Sequence, residues 1–181
     1  MKTALLIVDV QNDYFPGGKN ELAGSVEASG RIKVVIEEFR RRNLDIIYIQ
    51  HISQSPTAGF FLPNTEGVKI HSNVYPNKKD KIFIKHFPNS FRDTGLDEYC
   101  VGKGIDSLVI AGMMSHMCID TTVRAGYDLG YKIIVLSDCC ATKDLKLGER
   151  VVRAADVHLA HMAAIKGTFA DVRTVDEYIK E

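Results

Sequence analysis

Short apolar runs that alternate with helical patterns are the feature that most constrains the fold of this chain. The runs are rich in β-branched residues and nearly continuously apolar, which is typical of parallel strands covered on both faces. This alternation predicts a doubly wound parallel α/β sheet with right-handed crossovers. The predicted strands are 4–10, 45–51, 81–85, 107–112 and 132–138, with a sixth at 170–175; the predicted helices are 25–42, 94–103, 116–129 and 148–166, with Gly130 as a C-terminal glycine.

Length and charge exclude several classes of function. The 181 residues suit one domain, 1–181, with a core large enough to fold unaided. Lys plus Arg and Asp plus Glu both number 23, so the chain lacks the basic field that attracts nucleic acid. No apolar run approaches the length of a membrane span, about 20 residues, and "MKTALLIVDVQND" does not resemble a signal peptide. We therefore expect a cytoplasmic protein with neither nucleic acid nor membrane as partner.

The segment 52–80 has no clear period and is rich in Pro, Gly, Ser and Asn. Loops of this length in a compact domain are more often functional than accidental. It carries Phe60, Phe61 and Leu62, which are unfavourable in water and predict either a lid over a pocket or a subunit contact.

Several chemically capable residues stand at or just after the predicted strand ends. In open α/β sheets, sites form beyond the carboxyl ends of the strands. Asp9, His51, Lys85, Cys118 and Asp138 all meet this rule. Each also has a structural interpretation: a capping carboxylate, a surface lysine, or a cysteine packed as a small hydrophobe. We interpret Asp138 as structural, since it begins the turn-like "DCCATKD".

Asp9, Lys85 and Cys118 together make chemical sense. A thiol is a strong nucleophile as thiolate, and a helix N-terminus or a nearby cation such as Lys85 lowers its pKa. Asp9 would accept the thiol proton and later deliver it to a leaving amine. Backbone N–H groups of the first helical turn would stabilise an oxyanion. The other cysteines, Cys100, Cys139 and Cys140, form no CxxC pair and are expected to be free thiols.

The segments "LLIVDVQNDYF", "KHFPNSFRDTGLDEYC", "LVIAGMMSHMCIDTTVRAGYDLGY" and "IIVLSDCCAT" resemble the isochorismatase-like cysteine hydrolase superfamily over roughly residues 4–172. The group includes nicotinamidases, N-carbamoylsarcosine amidase and streptothricin hydrolase. The resemblance implies a three-layer Rossmann-like fold with a six-stranded parallel sheet flanked by helices. It also implies a triad of Asp9, Lys85 and Cys118, and a cis peptide at Met113–Met114 that helps to form the oxyanion hole with Cys118.

The resemblance also narrows the substrate and the partners. Members that hydrolyse isochorismate lack the nucleophilic cysteine, so Cys118 argues against that activity. Nicotinamidases bind a metal through an Asp-x-His pair and a later His. Here Gln50 precedes His51 and no Asp lies two residues before it, so His51 and His71 predict no metal site. We expect no cofactor, because nucleotide-binding glycine motifs are missing, and a homo-oligomer, dimer or larger.

We expect Gln11, Phe60, Phe61 and His116 to line the substrate pocket. Gln11 should share the side of the strand that carries Asp9 and could brace Asp9 or Lys85. His116 precedes Cys118 by two residues; we favour a pocket wall over a Cys–His pair. His158 and His161 are expected to be structural.

Together these observations predict a hydrolase that acts on carbon–nitrogen bonds other than peptide bonds. It would cleave a small amide-like substrate through a thioester, using Asp9, Lys85 and Cys118. The alternative is a non-catalytic or redox-sensing module of the same fold, which binds a metabolite and in which Cys118 is oxidised. A redox switch has no need of an Asp general base, which favours catalysis.

Overall fold

A computed structural model describes residues 2–55 and 57–180 of the chain. Its strands are, in chain order, β1 (Thr3–Val8), β2 (Asp45–His51), β3 (Lys81–Lys85), β4 (Ser107–Met113), β5 (Lys132–Ala141), β6 (Leu145–Leu147), β7 (Arg150–Val152) and β8 (Asp171–Arg173). Six of them form one sheet in the order β3-β2-β1-β4-β5-β8. Every neighbouring pair in this sheet is parallel, which confirms the predicted fold class.

Helices cover both faces of the sheet. They are α1 (Ser25–Arg41), α2 (Leu96–Lys103), α3 (Asp120–Asp128), α4 (Ala154–Ile165) and α5 (Val175–Ile179). Successive side chains of β1 point to opposite faces: Leu5 and Ile7 share a core with Phe39 of α1, whereas Leu6 shares a second core with Val123 of α3. The fold therefore has three layers. Among the described residues, no helix combines the length and apolar character that crossing a membrane requires.

The strand order places a crevice beside the end of β1. The chain runs outward from β1 to β2 and β3, and then returns to the other side of β1 as β4. Such a reversal point is where open α/β sheets form their sites. Asp9 follows β1 directly, and residues 114–118 follow β4 directly.

Three sequence predictions need correction. The helix expected over 148–166 begins only at Ala154, because residues 150–152 pair as β7 with β6 in an antiparallel hairpin. The strand expected over 132–138 continues to Ala141, with a register irregularity opposite Ile110 and Gly112. The segment 116–129 is also compound: a π-helical turn, Ser115–Ile119, precedes α3.

The loop 52–80 is irregular, as expected. Its described residues include a 3-10 turn, Ser72–Val74, and an isolated bridge joins Ile70 to Gln11. Pro56 of this loop lies outside the described residues.

Candidate active site

Asp9 and Lys85 form a fully buried ion pair at the carboxyl edge of the sheet. Lys85 Nζ lies 2.8 Å from Asp9 Oδ2, and neither side chain is exposed. Lys85 Nζ also donates to the carbonyl of Pro88 at 2.9 Å. Asp9 adopts a left-handed backbone conformation, with a φ of 52°, which Asp tolerates better than most residues. Fully buried charges are tolerated only when they are paired, so the folded state must keep the side chains of Asp9 and Lys85 together.

Cys118 lies in the π-helical turn that joins β4 to α3. The Met113–Met114 bond before it is cis, and the carbonyl of Met114 accepts hydrogen bonds from Met117 N at 3.0 Å and Ile119 N at 3.2 Å. The thiol is 5% exposed. A carboxylate oxygen of Asp9 lies within 4.8 Å of Cys118 Sγ. The structure thus brings the three predicted residues into one cluster.

Gly112 allows this cluster to form. Its φ is 130°, and a Cβ atom built there would lie 2.0 Å from the carbonyl oxygen of Val8. Only glycine permits both the conformation and the close approach. The end of β4 therefore packs against the end of β1, next to Asp9.

The electrostatics differ from the sequence expectation at one point. Burial raises the pKa of Cys118 to about 12; the charge of Asp9 adds to this effect and Lys85 opposes it. We expected a lowered pKa. A thiol with so high a pKa carries its proton near neutral pH, so the chemistry needs a neighbouring base rather than a preformed thiolate.

The groups around Lys85 favour its protonated form. Burial opposes the charged ammonium, but Asp9 and Cys118 outweigh it and raise the pKa of Lys85. Asp9 and Lys85 thus face the thiol as a balanced pair of charges.

His51 is a fourth ionisable group in the cluster. One ring nitrogen of His51 lies within 4.8 Å of a carboxylate oxygen of Asp9 and within 4.8 Å of Cys118 Sγ. Burial lowers the pKa of His51, with Asp9 opposing and Lys85 and His86 reinforcing the shift. His51 was expected at the end of a strand, beside the other candidates, but received no catalytic role; the strand order, with β2 between β1 and β3, explains its proximity to Asp9 and Lys85.

A resident metal ion does not fit these residues. In residues 2–55 and 57–180, Asp9, His51 and Cys118 are the only group of metal-ligating side chains that converge. The ammonium of Lys85 already neutralises Asp9, the one carboxylate of this group. His71 is engaged elsewhere: its ring stacks on Phe15 at 3.5 Å and its Nδ1 accepts from Asn73 N at 3.2 Å.

Aromatic rings from the loop 52–80 pack beside the cluster. The ring of Phe61 is 5.8 Å from that of His51 and 4.6 Å from that of Tyr14. Phe61 is 1% exposed, and its backbone N–H donates to Asp13 Oδ2 at 2.7 Å. Phe60 packs on Tyr14 and Phe61 and also lines an outer groove of about 430 Å³.

Gln11 hydrogen-bonds to His51 and Val68 rather than to Asp9 or Lys85, and His116 hydrogen-bonds to Thr142. The Gln11 amide donates to the carbonyls of His51 at 2.8 Å and Val68 at 2.7 Å, and accepts from His51 N at 2.8 Å. It therefore braces the end of β2 against the loop 52–80. His116 Nδ1 is 2.6 Å from Thr142 Oγ1.

Sequence reasoning missed Tyr14 and the support given by His158. Tyr14 is 2% exposed, and burial, with Cys118, Asp9 and Asp13, raises its pKa. His158 Nδ1 is 2.8 Å from Ser115 Oγ, at the first residue of the turn that carries Cys118. The spacing of "DVQNDY" was the available signal for Tyr14; nothing local in the sequence linked Ser115 to a helix 43 residues away.

Comparison with known proteins agrees with this architecture. The family model described as "Isochorismatase domain" matches residues 3–177. An isochorismatase family protein of Bacillus subtilis strain 168, YddQ, is 44% identical over 180 residues, covering 99% of this chain and all of YddQ.

Two solved structures are similar to the whole chain. A protein from Oleispira antarctica, assigned to the isochorismatase hydrolases, superposes with a TM-score of 0.95 at 42% identity, covering 99% of this chain and 97% of its own. A cysteine hydrolase from Pseudomonas syringae pv. phaseolicola superposes with a TM-score of 0.92 at 26% identity, covering 99% of this chain and 91% of its own.

Proposed function

Because the chain belongs to the isochorismatase family of hydrolases, we propose that it is a cysteine hydrolase that cleaves a C–N bond of a small amide-like substrate. The observation that carries this proposal is the buried Asp9–Lys85 pair, 2.8 Å apart, beside the thiol of Cys118. The resemblance to a cysteine hydrolase of known structure supports the same class of chemistry.

In the first half-reaction, Asp9 accepts the proton of the Cys118 thiol as Sγ attacks the substrate carbonyl carbon. Base catalysis is required because the resting thiol is protonated. Backbone N–H groups of Met114 and Cys118 stabilise the oxyanion, and Met113 sets the turn that aims them. Asp9 then protonates the departing amine, the C–N bond breaks, and an acyl thioester remains on Cys118.

Lys85 has an electrostatic role. Its ammonium stays within 2.8 Å of Asp9 while the negative charge moves from carboxylate to sulfur and back. Because neither side chain of the pair is exposed, this fixed cation acts at low dielectric, where it is most effective. The second half-reaction is hydrolysis of the thioester by water.

The substrate pocket is proposed to lie against Phe60, Phe61 and Tyr14, with Gln11 and His116 shaping its edges. These side chains present rings and neutral polar groups, which suits a small uncharged amide. A redox role is disfavoured by the burial of Cys118, because a sensor thiol must be exposed and have a low pKa.

The test uses p-nitroacetanilide, whose C–N cleavage releases coloured p-nitroaniline. The wild-type protein should cleave it, and Cys118→Ala should lose activity by at least about 10³-fold. Cys100→Ala, a buried cysteine of α2, is the matched control and should retain activity. Activity that survives in Cys118→Ala would refute the mechanism. If p-nitrophenyl acetate acylated Cys118 but the anilide were not cleaved, the C–N assignment would be refuted.

A further inference from the structure

His51 is placed where the second half-reaction needs a base. It ends β2, between the strands whose ends carry Asp9 and Lys85, and it pairs in register with Lys85. One of its ring nitrogens is within 4.8 Å of Cys118 Sγ. Within the described part of the chain, its imidazole makes no side-chain hydrogen bond, since its backbone atoms make the contacts to Gln11.

We propose that His51 is a further catalytic residue: the general base that activates the water molecule that hydrolyses the thioester on Cys118. This inference rests on the proposed function and adds a separate base for its second half. The first half-reaction remains the task of Asp9.

The geometry suits a water molecule between the imidazole and the acyl group. A general base acts either at hydrogen-bond distance, about 2.6–3.2 Å, or through one water. The ring nitrogen lies within 4.8 Å of Cys118 Sγ, close enough for one water molecule to contact both the imidazole and the acyl carbon carried on Sγ. Gln11 holds both backbone groups of His51, and the ring of Phe61 packs on its imidazole at 5.8 Å, so the base has a fixed position.

His51 is better suited than Asp9 to take a proton from water. Protonation of Asp9 removes the charge that holds the ammonium of Lys85, 2.8 Å away, and leaves that ammonium buried without its counterion. In acylation this loss is compensated, because the sulfur that gives up its proton becomes negative beside the ammonium, whereas the sulfur of the thioester carries no such charge. Protonation of the imidazole breaks no ion pair, and Asp9 favours the imidazolium that results.

The groups that face His51 keep it ready to accept a proton. They are Asp9 from the end of β1, Lys85 and His86 from the end of β3, and Cys118 from the π-helical turn. Burial is the largest influence and lowers the pKa of His51. The imidazole is therefore neutral near pH 7, as a general base must be.

Hydrolysis of the thioester returns every group to its resting state. A ring nitrogen of His51 takes a proton from water while the water oxygen attacks the thioester carbonyl carbon. The tetrahedral intermediate collapses, the C–S bond breaks, and the acyl group leaves as a carboxylic acid. Sulfur departs with the bonding electron pair and regains its proton from the imidazolium, which restores the neutral thiol and the neutral imidazole.

The experiment follows p-nitrophenyl acetate by stopped flow, because this ester acylates a thiol without needing a protonated leaving group. Each active site should release one nitrophenolate in a burst, followed by a slower steady state set by thioester hydrolysis. In His51→Gln the burst should keep its wild-type rate and amplitude, which also shows that the site is folded. The steady state should fall by about 10²–10⁴-fold, and mass spectrometry should find an acetyl group retained on Cys118.

Two further measurements separate the alternatives. Hydroxylamine, a nucleophile that needs no base, should restore turnover to His51→Gln. His161→Gln, a histidine of α4 beside Asp120, is the matched control and should behave as wild type. If His51→Gln leaves the steady state unchanged, or slows burst and steady state equally, His51 is not the hydrolytic base. If Cys118→Ala keeps the burst, the proposed function itself fails.

Discussion

Replacing Lys85 with methionine should lower the unfolding free energy by about 3–5 kcal/mol, because the carboxylate of Asp9 is then buried without its cation. At the observed 2.8 Å between Nζ and Oδ2, an effective dielectric constant of about 20 gives an attraction of about 6 kcal/mol. Much of that attraction offsets the desolvation of the two charges. Removal of one partner is therefore expected to cost more than the pair contributes as a whole.

A double-mutant cycle isolates this coupling. Asn is the suitable replacement at position 9, since Asp9 has a φ of 52° and Asn tolerates that conformation. Asp9→Asn removes the counterion of the Lys85 ammonium, whose contact with the carbonyl of Pro88 at 2.9 Å is to a neutral acceptor. The double variant, with both charges removed, should be at least about 2 kcal/mol more stable than the sum of the single losses implies.

Urea unfolding followed by circular dichroism at pH 7 measures all four proteins. Because the folded pKa of Lys85 is raised, the stabilisation from its charge is fully present below the unfolded pKa of about 10.4. It is lost only as pH rises through the folded value, so pH 7 reports the whole effect. Single losses below about 1 kcal/mol that simply add would show that the two charges are not coupled in a buried site.

Two other predictions test the surroundings of the pair. Gly112→Ala places a Cβ atom 2.0 Å from the Val8 carbonyl oxygen at a φ of 130°; it should cost more than about 4 kcal/mol, and an unchanged melting temperature would contradict the close approach of β1 and β4. Because burial raises the pKa of Cys118 to about 12, iodoacetamide should label it slowly near neutral pH and faster only in alkali, whereas the urea-unfolded chain should show a pKa of about 8.5. Peptide mass spectrometry measures the labelling rate of Cys118 in both states. If the rate in the folded protein stopped rising at a pH below about 8.5, Cys118 would instead be a thiolate at rest.

The sheet and the triad were predictable from sequence for the same reason. Buried parallel strands leave long apolar runs, and each run ends where a polar residue first appears. Asp9 and Lys85 mark two such ends, and the strand order then brings them together. Their meeting needs no special local signal, because parallel strands share one carboxyl edge.

The β6–β7 hairpin was not predicted, because its strands are short and exposed. The residues "GERVV" were included in the helix predicted over 148–166, because the apolar pattern of so short a segment does not distinguish a strand from a helix. Gly148, with a φ of 59°, begins the two-residue connection between the strands. Gly at the first central position is typical of a type II′ hairpin turn, and this was the signal available in the sequence.

The error about the pKa of Cys118 has a different origin. A helix start and a nearby lysine were correctly inferred from the sequence, and Lys85 does oppose the upward shift. The depth of burial and the direct approach of the Asp9 carboxylate decide the sign, and both depend on tertiary packing. The sequence predicts which residues lie at the end of a strand, but it does not predict how far those residues are buried from solvent.

The high pKa of Cys118 and the closed ion pair together determine when the nucleophile exists. With Asp9 negative, Lys85 positive and both His51 and Cys118 neutral, these four side chains carry no net charge at rest. A thiolate forms only as its proton moves to Asp9, that is, when a carbonyl carbon is present to receive the sulfur electrons. Such a site avoids holding an isolated anion in a dry crevice, and it protects the thiol from adventitious oxidation between turnovers. Burial thus makes Cys118 a poor sensor and, with Asp9 beside it, a nucleophile that is generated on demand.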